Sequence, residues 1–174
     1  MNDSLLHLLN EIKEERQNRR RPLPTQPPGA LVVIEALRRR AELELHYSIP
    51  VIYTELLSLT DGIDSSGVML YASHSQPLAG HADRLDYIIE GFIEANMLWR
   101  AGVDGAINRD YIYFAESGDY LYCHHLQTEE FQIVDRVTLE PIYKPAVFNT
   151  LEELIEQIFN HMLGRYGINE EDSI

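Results

Sequence analysis

From Ser4 to Arg21 apolar residues recur at helical spacing, with Leu5, Leu8, Leu9 and Ile12 on one stripe. Leu31–His46 repeats the pattern through Ile34, Leu37, Ala41 and Leu45. Pro50 suits the first position of a third helix, where its missing N–H is no loss, and that helix runs to about Leu59 and buries Leu56 and Tyr53. Thr60-Asp61-Gly62 stops it, because glycine accepts positive φ freely. Gly67–Ala72 then reads as a short strand and Ser73–Ala82 as a polar loop. Asp83 is placed to cap a long helix over Arg84–Trp99, with Leu85, Ile88, Ile89, Phe92, Met97 and Leu98 facing inward.

Beyond Tyr111 the period changes. Tyr111–Ala115, Tyr120–Leu126 and Phe131–Val137 are rich in aromatic and β-branched residues, and the breaks at Glu116-Ser117-Gly118-Asp119 and Gln127-Thr128-Glu129-Glu130 are small or charged. This predicts an antiparallel meander. Helical spacing returns at Leu151, Leu154, Ile155, Ile158, Phe159 and Met162, with Asn149 and Glu152 forming a capping box and Gly164 or Gly167 ending the helix. The pattern predicts a single α+β domain, an antiparallel meandering sheet packed against N-terminal, central and C-terminal helices. Along the chain it divides into an N-terminal helix with a proline-rich linker (1–29), the α+β body (30–168) and an acidic tail from Asn169 that is expected to fray. The linker, Pro22–Gly29, either strings the first helix around the domain or serves as a recognition segment for a proline-binding module.

Composition narrows the function. The chain has 174 residues, 45% of them hydrophobic, enough for a substantial core. Cys123 is the single cysteine, which rules out an internal disulfide and favours a reducing, cytoplasmic setting. No apolar run approaches the roughly 20 residues of a membrane span, and the first residues lack a basic segment ahead of an apolar one. Residues 1–45 carry eight Lys/Arg against seven Asp/Glu, whereas residues 46–174 carry six against 21, a formal −15. Such a body repels nucleic acid and anionic membranes and speeds encounter with basic proteins. The short runs Arg19–Arg21 and Arg38–Arg40, diluted by glutamate, do not reverse that.

Candidate chemistry is sparse. Neither a phosphate-binding glycine loop nor a Gly-x-Ser-x-Gly elbow is present. His124 and His125 are adjacent on a strand, so they point to opposite faces and cannot chelate one metal locally. His74 and His81 flank a loop with Asp83 nearby, better read as surface histidines than as a metal site. Cys123 reads as a small core residue, and Trp99 and Tyr53 as core anchors. No cofactor or metal is implied. Carboxylates are abundant at Glu116, Asp119, Glu129, Glu130 and Asp135; paired acids serve hydrolysis or cation binding, while acids at hairpin tips are simply solvated. Asp135 interrupts the strand-like Ile133–Val137, as a charge on an exposed edge or at a partner contact would.

Three segments resemble the SUKH superfamily, which includes yeast regulators of cell-wall glucan synthesis and many bacterial immunity proteins of polymorphic toxin systems. They are Pro50-Val51-Ile52-Tyr53 with Leu56-Leu57 and Asp61-Gly62; Asn96-Met97-Leu98-Trp99; and the meander Tyr111–Arg136 closing with Phe148 and the last helix. The likeness covers about residues 30–165 and is nearest the YrhA-type branch. Asp61 stands where asparagine is more usual, and the proline-rich linker lies outside the pattern. The resemblance implies a non-enzymatic protein-binding module, in some members neutralising a toxin, often a nuclease, by direct contact. An acidic body suits that role, since it can mask a basic nucleic-acid site by imitating its charge. The expected contact set is Glu116, Asp119, Glu129, Glu130 and Asp135. The alternatives are a scaffold or regulator of an endogenous partner and, more remotely, a carboxylate-dependent hydrolase.

Overall fold

The computed structural model describes residues 1–81, 84, 86–101, 109–142 and 147–166. The Asn2 side chain accepts from the Leu5 N–H and starts α1 (Asp3–Gln17), whose stripe Leu5, Leu8, Leu9 and Ile12 is buried. The helix ends four residues before the expected Arg21. α2 (Leu31–Arg40) buries Ile34 and Leu37, then widens into a π turn, Ala41–Leu45, closed by His46 at φ 54°. α3 (Val51–Leu57) follows Pro50, which caps the helix from outside instead of occupying its first position.

Beyond the Asp61-Gly62 turn lie β1 (Ile63–Ser65), β2 (Val68–Leu70), β3 (Gln76–Pro77), β4 (Ile88–Ile89) and α4 (Phe92–Arg100). The meander is β5 (Tyr111–Ser117), β6 (Tyr120–His125), β7 (Glu130–Asp135) and β8 (Val147–Phe148), and α5 (Leu151–Met162) closes the chain. β1-β2-β5-β6-β7-β8 form a six-stranded, wholly antiparallel sheet, and β3 and β4 form a small ribbon. The class is α+β, as the periodicity predicts. α1 packs along α5, and both join the sheet in one hydrophobic cluster. No described helix is long and apolar enough to cross a membrane.

Three expectations are corrected. α4 begins at Phe92, not Arg84, because Ile88 and Ile89 pair with Gln76 and Pro77 as a strand and Gly91 opens the helix. Short β-branched runs suit a strand as well as a helix, and tertiary pairing decides between them. Met97 and Leu98, expected inward, are 49% and 73% exposed; Asp83 and Leu85 lie outside the described residues. The capping box is Thr150 with Glu153, one residue later than Asn149 with Glu152, and the Asn149 N–H also bonds to Glu153. Gly164, at φ 72°, follows the C-cap Leu163, as the helix stop requires.

The linker is a strap. Gln26 is buried, its amide donating to the Pro77 carbonyl while its side-chain oxygen accepts from the Ala79 N–H. Arg16 donates to the carbonyls of Pro24 and Asp64, Thr60 to that of Gln26, and the Asp61 N–H to that of Pro27. Gly62 needs its glycine twice over: φ is 86°, and a Cβ there would lie 2.5 Å from Ile89 Cδ1.

Two imidazoles are built into the packing. His161 on α5 is buried, its Nδ1 2.6 Å from the Tyr122 hydroxyl and its ring among Tyr120, Tyr122 and Tyr166. His124 lies 2.9 Å from the Tyr47 hydroxyl and stacks on Phe131. Burial holds both below the usual imidazole value. The unfolded chain therefore binds more protons than the folded one as pH falls. Their contribution to stability is complete above the unfolded pKa of about 6.5 and is lost progressively below it, toward the depressed folded values. Urea midpoints measured from pH 7.5 to 5 are expected to fall with pH, and to fall less steeply in His161→Gln; an equally steep profile in that variant would contradict this account.

Candidate interaction surface

β2 pairs with β5 only at Ala115, Glu116 and Ser117, and a bulge lies between Tyr113 and Ala115. Tyr113 pairs with Cys123 of β6 on one side but has no strand beside it on the β2 side. Asn96 fills that place: its Nδ2 donates to the Tyr113 carbonyl and its Oδ1 accepts the Tyr113 N–H, both at 2.8 Å, and the residue is wholly buried. Nδ2 also donates to the Phe92 carbonyl at 2.8 Å, which ties the amide to its own helix.

One turn along α4, Trp99 is carried over Tyr113, with ring centroids 5.8 Å apart. The indole N–H donates to the Tyr71 hydroxyl at 3.1 Å, and that hydroxyl donates to Glu116 at 3.2 Å. The Arg136 guanidinium lies 4.9 Å above the Trp99 ring, donates to the Ser117 carbonyl at 2.7 Å and stands 3.9 Å from the Glu116 carboxylate. Trp99, Tyr71, Glu116 and Arg136 therefore form a closed circuit at one end of the sheet. Burial raises the Tyr71 hydroxyl pKa well above its ordinary value, and the Glu116 charge pushes the same way, so Tyr71 stays a donor. Tyr53, expected in the core, is wholly buried and donates to the Tyr71 carbonyl at 2.6 Å.

This end gathers three of the five expected acids. Glu116 belongs to the circuit, and the Asp119 carbonyl accepts the Arg136 N–H. Asp135 accepts from the N–H groups of Thr138 and Val137, both at 2.8 Å, and these bonds hold its carboxyl below the usual range. The reading of Asp135 as an edge charge is corrected: β7 has β6 on one side and β8 on the other, with a bridge from Val134 to Pro141. Asp135 instead folds the turn that holds Val137 89% exposed beside Arg136. Glu129 and Glu130 stand at the other end of the meander, Glu129 in the β6–β7 turn at φ 58° and Glu130 paired with His125. Five residue steps along β6, roughly 17 Å, separate the two groups. The five acids do not make one patch.

Beside the circuit a groove of about 230 Å³ is lined by Asp64, Met69, Glu116, Ser117, Gly118 and Arg136. Burial raises the Asp64 carboxyl above its ordinary value, against the pull of Arg16. Asp64 and Glu116 both line this groove, but the register sets Met69 between them.

The other candidate groups are structural. Cys123 is buried and its thiol pKa is pushed up, so it is no thiolate at neutral pH. His125 bonds Thr128 near Tyr111, away from His124. His81 stacks on Tyr87, and His74 Nδ1 lies 3.0 Å from the Ser73 hydroxyl, which donates to buried Asp61 at 2.7 Å. That order differs from a nucleophilic triad, where the imidazole sits between hydroxyl and carboxylate. Asp61 also takes the Ser73 N–H and the Gln76 amide, so it knots the loop to the Asp-Gly turn. Among the described residues no group of three His, Cys, Asp or Glu is placed to hold a metal.

Sequence reasoning missed Tyr71 and Arg136 as members of this surface, and the job of Asn96. The signal was present in part: Asn96 and Trp99 are i, i+3 on one helix face, the spacing at which one side chain can seat the backbone and the next can cover it. No protein-family model matches this chain, and neither does any curated protein.

Replacing Asn96 by leucine is expected to remove about 2–4 kcal/mol of stability, because the Tyr113 N–H and C=O are left buried without partners. Denaturant titration checks this. A loss within about 0.5 kcal/mol would show that the amide bridge contributes little.

Proposed function

We propose that this chain is a non-enzymatic, cytoplasmic protein-binding module that neutralises a basic, nuclease-like toxin by direct contact, the role implied by its resemblance to SUKH immunity proteins. The observation that carries the reading is the Trp99–Arg136–Glu116 circuit with exposed Val137 at its rim. Tryptophan, tyrosine and arginine held rigidly beside exposed apolar groups are the usual composition of energetic centres in protein interfaces. Glu116, Asp119 and Asp135 surround them, on a chain of formal charge −14. The field of the whole molecule steers a basic partner in, and the aromatic–arginine centre holds it.

A hydrolase is the second reading, favoured by Asp64 and Glu116 lining one groove. Two strand spacings, about 10 Å, separate their backbones. Glu116 is already engaged by the Tyr71 hydroxyl at 3.2 Å and stands 3.9 Å from the Arg136 guanidinium.

The test is affinity capture from the native host at low and high salt, followed by binding assays with the purified partner. A basic partner whose association rate falls steeply with salt is expected. Val137→Glu and Arg136→Ala should each weaken binding at least about tenfold, or 1.4 kcal/mol. Glu129→Lys/Glu130→Lys, at the far end, should change affinity less than about threefold. An acidic or salt-indifferent partner sinks the toxin reading in favour of a regulator of an endogenous protein. Loss of binding only in the Glu129/Glu130 variant moves the interface to the other end of the sheet.

A further inference from the structure

The strap Pro22–Pro28 is more than a connector. Four of its seven residues are proline, each with φ near −65°, and Leu23, Gln26 and Pro27 each precede a proline, which keeps them extended. Only Thr25 is locally unrestricted. The chain is thereby driven toward a polyproline II helix, with three residues per turn.

Burial follows that period. Leu23, Gln26 and Gly29 make the inward row: Leu23 is half-buried, Gln26 is buried, and a Cβ on Gly29 would lie 3.0 Å from the Leu57 carbonyl. Arg21, Pro24 and Pro27, also three apart, are exposed, as are Pro22 and Pro28 on the next row. Pro24 rests its Cδ edge near Gly80, where a Cβ would come within 2.8 Å, and still leaves much of its ring in solvent. The Arg21, Pro24 and Pro27 edge therefore faces outward, Pro22 and Pro28 flank it with Thr25 half-buried between them, and the third edge is fastened by Gln26. The hydrogen bonds from Arg16, Thr60 and the Asp61 N–H fix the backbone behind them.

We propose that Arg21–Pro28 is a preformed docking segment for a protein domain with an aromatic-lined, proline-binding groove that carries a carboxylate at one end. Parallel aromatic rings fit between pyrrolidine rings spaced three apart, as Pro24 and Pro27 are, and the carboxylate receives Arg21. Charge complementarity fixes the kind of groove. Arg20 and Arg21 are exposed and form no ion pair among the described residues, so a local positive end stands on an otherwise acidic protein. At physiological salt the Debye length is about 8 Å, which screens the distant acidic body more than the adjacent arginines. Because the fold has already ordered the segment, the partner does not supply that ordering free energy.

The experiment titrates the ¹⁵N-labelled full chain with three purified probes. These are an SH3 domain that accepts Arg-x-x-Pro-x-x-Pro ligands, a WW domain, and the same SH3 domain with its groove tryptophan replaced by alanine. Saturable shifts centred on residues 20–28 are expected with the SH3 domain and not with its tryptophan variant. Pro24→Ala/Pro27→Ala should weaken binding at least about tenfold and Arg21→Glu by a similar factor. Both alter exposed side chains, and thermal melting confirms that each variant is folded. Gln26→Ala, which frees the strap, should also weaken binding because preorganisation is lost. The proposal is overturned if neither wild-type domain shifts these resonances at about 1 mM, or if binding survives the double proline variant. It is equally overturned if Gln26→Ala binds more tightly than the parent, since the docked conformation would then be the obstacle.

Discussion

Tyr113 lies in the middle strand of the core, and without Asn96 its N–H and C=O would be buried with no partner. Each such group costs on the order of 1–3 kcal/mol, a large fraction of a domain's net stability. A single side-chain amide, which offers one donor and one acceptor side by side, is the smallest group that can stand in for a neighbouring strand. That requirement does more than satisfy β5. It fixes α4 against β5, and with α4 fixed, Trp99 must lie over Tyr113. From there the indole reaches Tyr71, Tyr71 reaches Glu116, and Arg136 closes over the ring.

A second organising group is a buried carboxylate, that of Asp61. Asp61 gathers the Ser73 N–H, the Ser73 hydroxyl and the Gln76 amide, while its own N–H goes to Pro27. The loop after β2 and the proline strap are thereby tied to one turn, and Gly62 lets Ile89 of β4 pack directly on it. The Asp-Gly pair that reads in sequence as a simple stop signal is the fastening point of three segments. Polar networks of this kind are stable only when complete, and this one is complete on the carboxylate side.

The two ends of the sheet have different characters as a result. At the Trp99 end, acids surround a rigid aromatic and arginine centre, and Asp135 is committed to shaping the turn that presents Val137. At the other end Glu129 and Glu130 sit on a plain hairpin. An even sprinkling of acids along the meander in sequence becomes two surfaces with different capacities for binding, because antiparallel strands return successive turns to opposite ends.

Sequence alone determined the fold class, the buried stripes of α1, α2, α3 and α5, the three long strands, and the inert placement of Cys123 and the adjacent histidines. These follow from periodicity and local turn chemistry, which act over a few residues. Tertiary structure alone decided where α4 begins, since Ile88 and Ile89 suit a helix or a strand until Gln76 and Pro77 come alongside. It also decided that Asp135, at the end of β7, folds the turn that presents Val137, that Tyr71 and Arg136 meet Trp99, and that the expected acids divide between two ends. The meeting of Trp99, Tyr71, Glu116 and Arg136 depends on residues about 28 to 45 positions apart coming together. A local pattern carries no record of such pairing, because its energy exists only once the strands have met.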